Sequence, residues 1–364
     1  MKVEREIAGI TLPFIIGIAA SAYAEALFHT IPHWSATSAL YITLLNALFL
    51  LHPMHRCSGD STIRCVIFIM MAACGVFTFT TDLLIVADTH NMILKQVSKA
   101  GQAMSENINR IPFRDATANA MIDALLTGDR SGLSKEVTEA FRNSGASHIL
   151  AISGFHLGII HSIIKKGLFI LGNSPEAKRL RSIMTIAICG LYCLATGASP
   201  SITRAFIFIV LYETGTITGR YKDIRHVVPA ALLIQLSISP GSIKDVGFQL
   251  SYAAMAGIAY INPVLVRFWP EKDKSIPGRL WRASALSISC QITTGPVAYV
   301  YFSTLPKYFL LTNLIALPLT GIIIPVSLAT LVLDSLGACP EMLLRATEML
   351  IKALTEALRT ISSM

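Results

Sequence analysis

Charge is what this sequence has least of. Only 14% of its 364 residues are Asp, Glu, Lys or Arg, against about 25% in soluble domains. Acidic residues are the scarcer kind, 22 against 30 basic ones. So few charges cannot cover the surface of an ordinary soluble enzyme, which excludes that class. No Gly-x-x-x-x-Gly-Lys-[Ser/Thr] string occurs, so the chain shows no phosphate-cradling loop of a nucleotide-hydrolysing motor. No His-x-His-x-Asp-His string occurs either, and the seven Cys are scattered, mostly through apolar runs. Cys189 and Cys193 share a helix face, but no second Cys or His pair completes a metal site. They read as small core residues; no metal and no cofactor is expected.

What the chain has instead is apolar length. Hydrophobic residues make up 53% of it, in runs near the ~20 residues that cross a bilayer as a helix. The expected spans are Ile10–Phe28, Ala36–Leu51, Ile63–Val86, His148–Leu171, Ile183–Ala198, Ile202–Thr218, Val227–Ile238, Val246–Val266, Ala283–Phe302 and Tyr308–Leu333. Val227–Ile238 is short enough to be re-entrant, and Pro318 and Pro325 are expected to divide the last span. Ala22-Tyr23-Ala24 has the small-x-small pattern of a signal-peptidase site, but the orientation of the remaining chain does not depend on cleavage.

The charges sort by side. Lys2 and Arg5, then Arg56 and Arg64, then Lys178, Arg179 and Arg181, then Arg220, Lys222 and Arg225, then Arg267, Lys272, Lys274, Arg279 and Arg282 all fall on one face if each span crosses once. The intervening turns at Ser199-Pro200 and Pro240-Gly241 are nearly neutral. By the positive-inside rule this places the N-terminus in the cytoplasm and supports about ten crossings. The net charge of +8 then belongs to cytoplasmic loops.

Residues 88–147 do not read as a span. Ile93, Val97, Gly101, Met104 and Ile108 recur at helical spacing, with Lys95, Lys99, Glu106 and Arg110 on other faces, the pattern of a helix lying on a membrane surface. Pro112 ends it. Asp115 is placed to cap a helix through Leu126 that Gly128 stops, and Ser134 to cap another ending near Asn143-Ser144-Gly145. The carboxyl end, Glu341 to Ile361, is amphipathic, with Leu343, Leu350, Leu354 and Ile361 on its apolar side and the pairs Glu341–Arg345 and Glu348–Lys352 four residues apart. The chain therefore divides into an N-terminal three-helix membrane segment (1–86), extracytoplasmic interfacial helices (87–147), a channel-like core (148–336) and a C-terminal amphipathic helix (337–364). The expected fold is an all-α integral membrane protein: a polytopic bundle of about ten transmembrane helices with broken helices, an outer interfacial segment and that C-terminal helix.

Four polar clusters interrupt the apolar runs. The first is Leu125-Leu126-Thr127-Gly128-Asp129-Arg130 with Phe141, Ser144, Gly145, His148, Ser153, Gly154 and His156. The second is Gly197-Ala198-Ser199-Pro200-Ser201-Ile202-Thr203-Arg204-Ala205. The third is Asp245-Val246-Gly247-Phe248-Gln249-Leu250-Ser251-Tyr252. The fourth is Gly295-Pro296, Phe302 and Leu311-Thr312-Asn313-Leu314-Ile315-Ala316-Leu317-Pro318. In this order, from about Met121 to Pro325, they resemble the ComEC family of competence proteins, inner-membrane channels for DNA uptake in natural transformation.

The resemblance implies that single-stranded DNA crosses the bacterial inner membrane here into the cytoplasm, without catalysis by this chain. It implies membrane lipids, a cytoplasmic helicase-like ATPase and an outer DNA receptor as partners, with a homo-oligomer left open. Full-length members resemble a three-part protein, with an outer OB-like domain before the channel and a metallo-β-lactamase-like domain after it. The stretch between Val86 and Asp115 is too short for the first, and one amphipathic helix follows Leu336 in place of the second. The match is to the channel core, and no nuclease activity is carried over.

Taken singly, each polar residue has a packing reading beside the functional one. Ser153 and His156, three apart, share a helix face; they line a polar pathway or join two helices. His148 points elsewhere. A Ser–His nucleophile is disfavoured, because Ala151 stands where a Gly-x-Ser pattern needs glycine and no oxyanion hole is evident. Arg204, a turn into the span that opens at Ser199 and Pro200, snorkels outward or holds a phosphate near a helix N-terminus. Gln249 and Asn313 glue helices or face a conduit, and Asn313 with Pro318 suggests a broken helix. Asp129 and Arg130 pair with each other at a turn, or Arg130 meets DNA. Phe155, Phe248, Tyr252 and Tyr301 pack, or offer stacking surfaces to bases. Phe248, Gln249 and Ser251 enter as members of the third cluster. The competing functions are a secondary transporter, a lipid or polymer exporter, and a remnant that folds but no longer conducts.

Overall fold

The computed structural model describes residues 2–28, 39–40, 42–43, 60–85, 101–219, 223–270, 273 and 275–364. Among them every regular element is a helix. The expected span Ala36–Leu51, the start of the interfacial helix before residue 101, and Arg56, Arg220, Lys222, Lys272 and Lys274 lie outside the described residues.

In chain order the helices are α1 (Lys2–Phe28), α2 (Asp60–Ile85), α3 (Ala116–Leu126), α4 (Lys135–Asn143), the single turn α5 (Ser147–Leu150), α6 (Gly154–Gly167), α7 (Pro175–Ala195) and α8 (Pro200–Ile217). Then follow α9 (Ile224–Ile238), α10 (Val246–Ala256), α11 (Asn262–Val266), α12 (Ile276–Phe302), α13 (Phe309–Ser335) and α14 (Glu341–Ser362). Residues 101–110 are also helical. Four stretches among the described residues are long and apolar enough to cross a membrane: Gly9–Ala26, Gly154–Leu171, Val246–Val266 and Phe309–Ser335. The chain is an all-α membrane protein.

The chain forms two compact units, one of residues 1–88 and 222–259, the other of 89–221 and 260–364. In the first, α1 and α2 meet backbone to backbone at two glycines. A Cβ on Gly17 would fall 1.9 Å from the carbonyl oxygen of Ala72, and one on Gly75 would fall 2.2 Å from that of Phe14. Only glycine fits at such a crossing, the small-residue packing by which membrane helices gain contact where hydrophobicity gives no preference. Phe14, Ile18 and Phe79 fill its flanks. Glu25 pairs with Lys244, whose ammonium also lies 5.2 Å from the Phe79 ring centroid.

In the second unit a large apolar core joins Ile108, Met121, Ile122, Leu125, Phe141 and Ile149 to Ile323 and Ile324 of α13 and to Ile351, Leu354 and Leu358 of α14. The last two helices form an antiparallel hairpin. Thr330 and Thr347 hydroxyls meet at 3.1 Å near its turn, and the Tyr308 hydroxyl donates to the Met364 carbonyl at 3.2 Å at its open end. Helix α14 therefore runs the length of α13, and Leu354 and Ile361 of its expected apolar face are buried. A second core, of Ile152, Leu157, Cys189, Cys193, Ile202 and Ile209, ties α6, α7 and α8 together.

Several local expectations are met atom by atom. The Asp115 carboxylate accepts the Thr117 N–H at 2.8 Å, and Ser134 Oγ accepts that of Val137 at 3.3 Å. Gly128 and Gly145 hold the left-handed conformations that end α3 and α4, at φ 85° and 84°. Two expectations change. The span His148–Leu171 is not one helix: the chain is extended from Ala151 to Ser153, and α6 starts only at Gly154. Conversely, α13 is not divided, and Pro318 and Pro325 sit inside one continuous helix. Each proline deletes one backbone hydrogen bond, which the packing of α13 between α14 and α6 tolerates. A further irregularity is a π-helical turn at Gly257–Ile261, inside the stretch Val246–Val266.

Candidate functional site

The break at residues 151–153 organises the site. Ser153 is extended, at φ −129° and ψ 169°, and caps α6. The sequence placed Ser153 and His156 on one helical face; instead Ser153 precedes the helix, and His156 at the third helical position reaches back to it. Ser153 Oγ lies 2.8 Å from His156 Nδ1, and the Ser153 N–H donates to the same nitrogen at 3.3 Å. Nδ1 is therefore an acceptor, and the neutral ring carries its proton on Nε2. His156 is 1% exposed, and Nε2 has no hydrogen-bond partner among the described residues.

Three of the four polar clusters gather around this break. Gly128 approaches Ile152, where a Cβ would be 3.4 Å away, and the Arg130 Nε–H donates to the Leu150 carbonyl at 3.1 Å, closing the turn α5. Asp129 accepts the Ser131 N–H at 2.8 Å. Of the two readings of this turn, mutual pairing of Asp129 with Arg130 does not occur: each bonds elsewhere, and the Ser131 hydrogen bonds hold the Asp129 carboxyl below the usual carboxylate range. The Tyr192 hydroxyl on α7 donates to the Leu126 carbonyl at 2.6 Å. Gly154 lies against Ala205 of α8, a Cβ at Gly154 falling 3.2 Å from that of Ala205. Arg204, beside Ala205, is 4% exposed, so it does not snorkel outward. Ser199 precedes α8 without capping it, Pro200 opens the helix, and Ser199 Oγ is buried without a partner among the described residues.

The fourth cluster joins at the other side. Thr312 Oγ1 donates to the Ser144 carbonyl at 2.7 Å, and Gly145 abuts Pro306, whose Cβ would be 2.6 Å from a Cβ at residue 145. His148 Nδ1 lies 3.2 Å from the Gly145 carbonyl. On α13, Asn313, Thr320 and Ser327 are spaced by seven residues and so share one face. Asn313 Oδ1, Thr320 Oγ1 and Ser327 Oγ are all buried without hydrogen-bond partners among the described residues.

The third cluster lies in the first unit. Asp245 caps α10, Gln249 Nε2 donates to the Ile243 carbonyl at 2.9 Å, and the Phe248 and Tyr252 rings meet tilted by 46° with centroids 4.6 Å apart. The Tyr252 hydroxyl donates to Gln235 Oε1 at 3.0 Å, and Ser251 is partly exposed. In this unit the amide of Gln249 pins the turn before α10.

Sequence reasoning missed one constellation. Glu213, fully buried on α8, accepts His161 Nε2 at 2.7 Å and Lys165 Nζ at 2.6 Å on Oε1, and Ser182 Oγ at 2.7 Å on Oε2. The four residues come from α6, α7 and α8. Two signals were available: a carboxylate inside an apolar run, and His161 four residues before Lys165 on one helix face.

The structure thus combines an interrupted helix with polar groups buried along its most apolar rod, irregularities that a membrane protein tolerates where they face protein or water. Comparison with known proteins gives the family. A family described as Competence protein matches residues 125–364, and the chain belongs to that family, the ComEC-type competence proteins. It is 27% identical over 222 residues to ComE operon protein 3 of Bacillus subtilis (strain 168), covering 61% of this chain and 27% of that protein. It is 25% identical over 203 residues to Competence protein ComA of Neisseria gonorrhoeae, covering 54% and 28%. A third relative is the Uncharacterized protein YcaI of Escherichia coli (strain K12), 26% identical over 227 residues. The chain thus spans less than a third of each relative's length. No solved structure matches it.

Proposed function

We propose that this chain forms the membrane conduit through which single-stranded DNA enters the cytoplasm, without itself catalysing a reaction. The carrying observation is the set of buried polar atoms that lack partners among the described residues: His156 Nε2 on α6, and Asn313 Oδ1, Thr320 Oγ1 and Ser327 Oγ on α13. Helices α6 and α13 pack against each other. Polar groups left unsatisfied in an apolar interior call for water or a ligand. A conduit for a polyanion needs widely spaced donors that offset phosphate charge without gripping it, and the Nε2–H of His156 and the guanidinium of Arg204 are such donors.

In this reading the protein sits in the bacterial inner membrane with about ten crossings and a cytoplasmic N-terminus, as the distribution of basic loops indicates. A cytoplasmic helicase-like ATPase supplies the work, and an outer receptor delivers the DNA. The test is uptake of end-labelled DNA in a strain whose own copy is deleted, complemented with wild type, His156→Ala or Arg204→Ala at equal membrane abundance. Both variants are expected to cut internalised label by at least about tenfold, the effect of roughly 1.4 kcal/mol on a limiting step. Normal uptake in both removes the pathway assignment.

A further inference from the structure

The constellation around Glu213 has a chemistry that the conduit does not use. Glu213 is 0% exposed, and its carboxylate is held by three donors from two other helices. Nine residues separate Arg204 from Glu213, and nine separate His156 from Lys165, so this cluster lies about 14 Å along the α6–α8 pair from the site at the helix break. An ion pair buried this way brings little stability over an apolar packing of the same volume, because both charges are desolvated. Ionisable groups inside membrane-spanning helices are correspondingly rare, and they mark ion or proton pathways.

The arrangement of donors is unequal. Oε2 has one neutral donor, the Ser182 hydroxyl, whereas Oε1 is shared by the His161 imidazole and the Lys165 ammonium. With neutral His161, Glu213 and Lys165 balance. A proton added to the second ring nitrogen of His161 leaves one carboxylate facing two cations. Lys165 is the partner free to leave: its side chain is 37% exposed against 16% for His161, and its ammonium lies 4.9 Å from the centroid of the Tyr212 ring, which can hold it outside the pair. On α7, three residues beyond Ser182, Thr185 is fully buried with its hydroxyl unpartnered among the described residues, and Cys189 follows one turn on. The polar groups facing the His161–Glu213 pair are Lys165 from α6, Ser182 and Cys189 from α7, and Tyr212 from α8, whose ring meets that of His161 edge-on with centroids 6.2 Å apart.

We infer that His161 and Glu213 form an intramembrane proton-binding site, in which a proton taken from water onto His161 displaces Lys165 from Glu213. The step is balanced: an N–H bond forms on the ring, an O–H bond of hydronium breaks, and the Nε2–H···Oε1 hydrogen bond persists while the Lys165 contact opens. The site is independent of DNA, and its failure leaves the conduit reading untouched.

The test is solid-state NMR of the full chain in phospholipid bilayers, with ¹⁵N-labelled histidine and the His161 signals assigned by their loss in His161→Gln. As the sample is acidified, His161 is expected to pass from one protonated ring nitrogen to two. Glu213→Gln should move that midpoint by at least one pH unit, about a tenfold change in proton affinity. Lys165→Met, which keeps the carboxylate, should move it in the opposite sense. If Glu213→Gln does not fold, the Lys165→Met comparison alone decides. A His161 ring that keeps one protonation state at every pH at which the protein stays folded overturns the inference, as does a midpoint indifferent to Lys165→Met.

Discussion

The two units of this protein bury different things. The first closes its α1–α2 crossing with Gly17 and Gly75, and its buried polar side chains among the described residues are Thr11, Ser21 and Gln235. The second buries Asp123, His156, Arg204 and Glu213; every acidic, basic or imidazole side chain buried among the described residues belongs to it. Close backbone packing needs no charge and gains only contact area. Burying a charge opposes stability unless a partner or a function compensates it. The difference marks the first unit as scaffold-like and concentrates the chemistry in the second.

The largest expected effect breaks the second unit's charge balance. Glu213→Ala leaves His161 and Lys165 facing an empty space, and should lower unfolding stability in detergent by about 3–5 kcal/mol. Lys165→Ala, at the exposed edge, should lose far less. Equal losses would show that the cluster is merely a surface pair. Next comes the scaffold. Gly75→Val forces α1 and α2 apart against the Phe14 carbonyl, with an expected loss of about 1–3 kcal/mol by thermal unfolding. A neutral result would remove the close crossing. Thr312→Val deletes the hydrogen bond to the Ser144 carbonyl and should cost about 1 kcal/mol in the same assay.

The smallest effect is a titration outside the membrane. Hydrogen bonds from Ser275 and the Trp269 indole hold the Asp273 carboxyl at about 2. Its native value lies below the unfolded one of about 3.9, so its contribution is complete above that value and is lost as pH falls toward 2. Trp269 emission should therefore step near pH 2 in the folded protein. A step near 4 would show that the indole contact is absent.

Much of the fold was legible because it is local. Capping residues Asp115 and Ser134 and stop glycines 128 and 145 act within one turn, and the apolar spacing of residues 341–361 reported a buried face. The helix break at Ser153 was hidden because residues 148–171 are apolar on average, and hydropathy does not distinguish a bent path from a straight one. Its signal was the Ser-x-x-His spacing, which acts as a capping box when the imidazole nitrogen accepts the backbone N–H. The Glu213 cluster was hidden for a different reason. Its partners are 52, 48 and 31 residues away in sequence, and only the packing of α6, α7 and α8 brings them together. The continuity of α13 across Pro318 and Pro325 likewise depends on neighbours that the sequence does not name.

The central claim, that a DNA strand passes the polar groups of the second unit, is tested most directly by photocrosslinking during uptake. A benzophenone amino acid replaces Ser199, whose hydroxyl is buried at the start of α8, or as control Leu191, which is 66% exposed on α7. The account predicts that labelled incoming DNA is captured from position 199 and not from position 191. Capture at neither position, or equally at both, contradicts it.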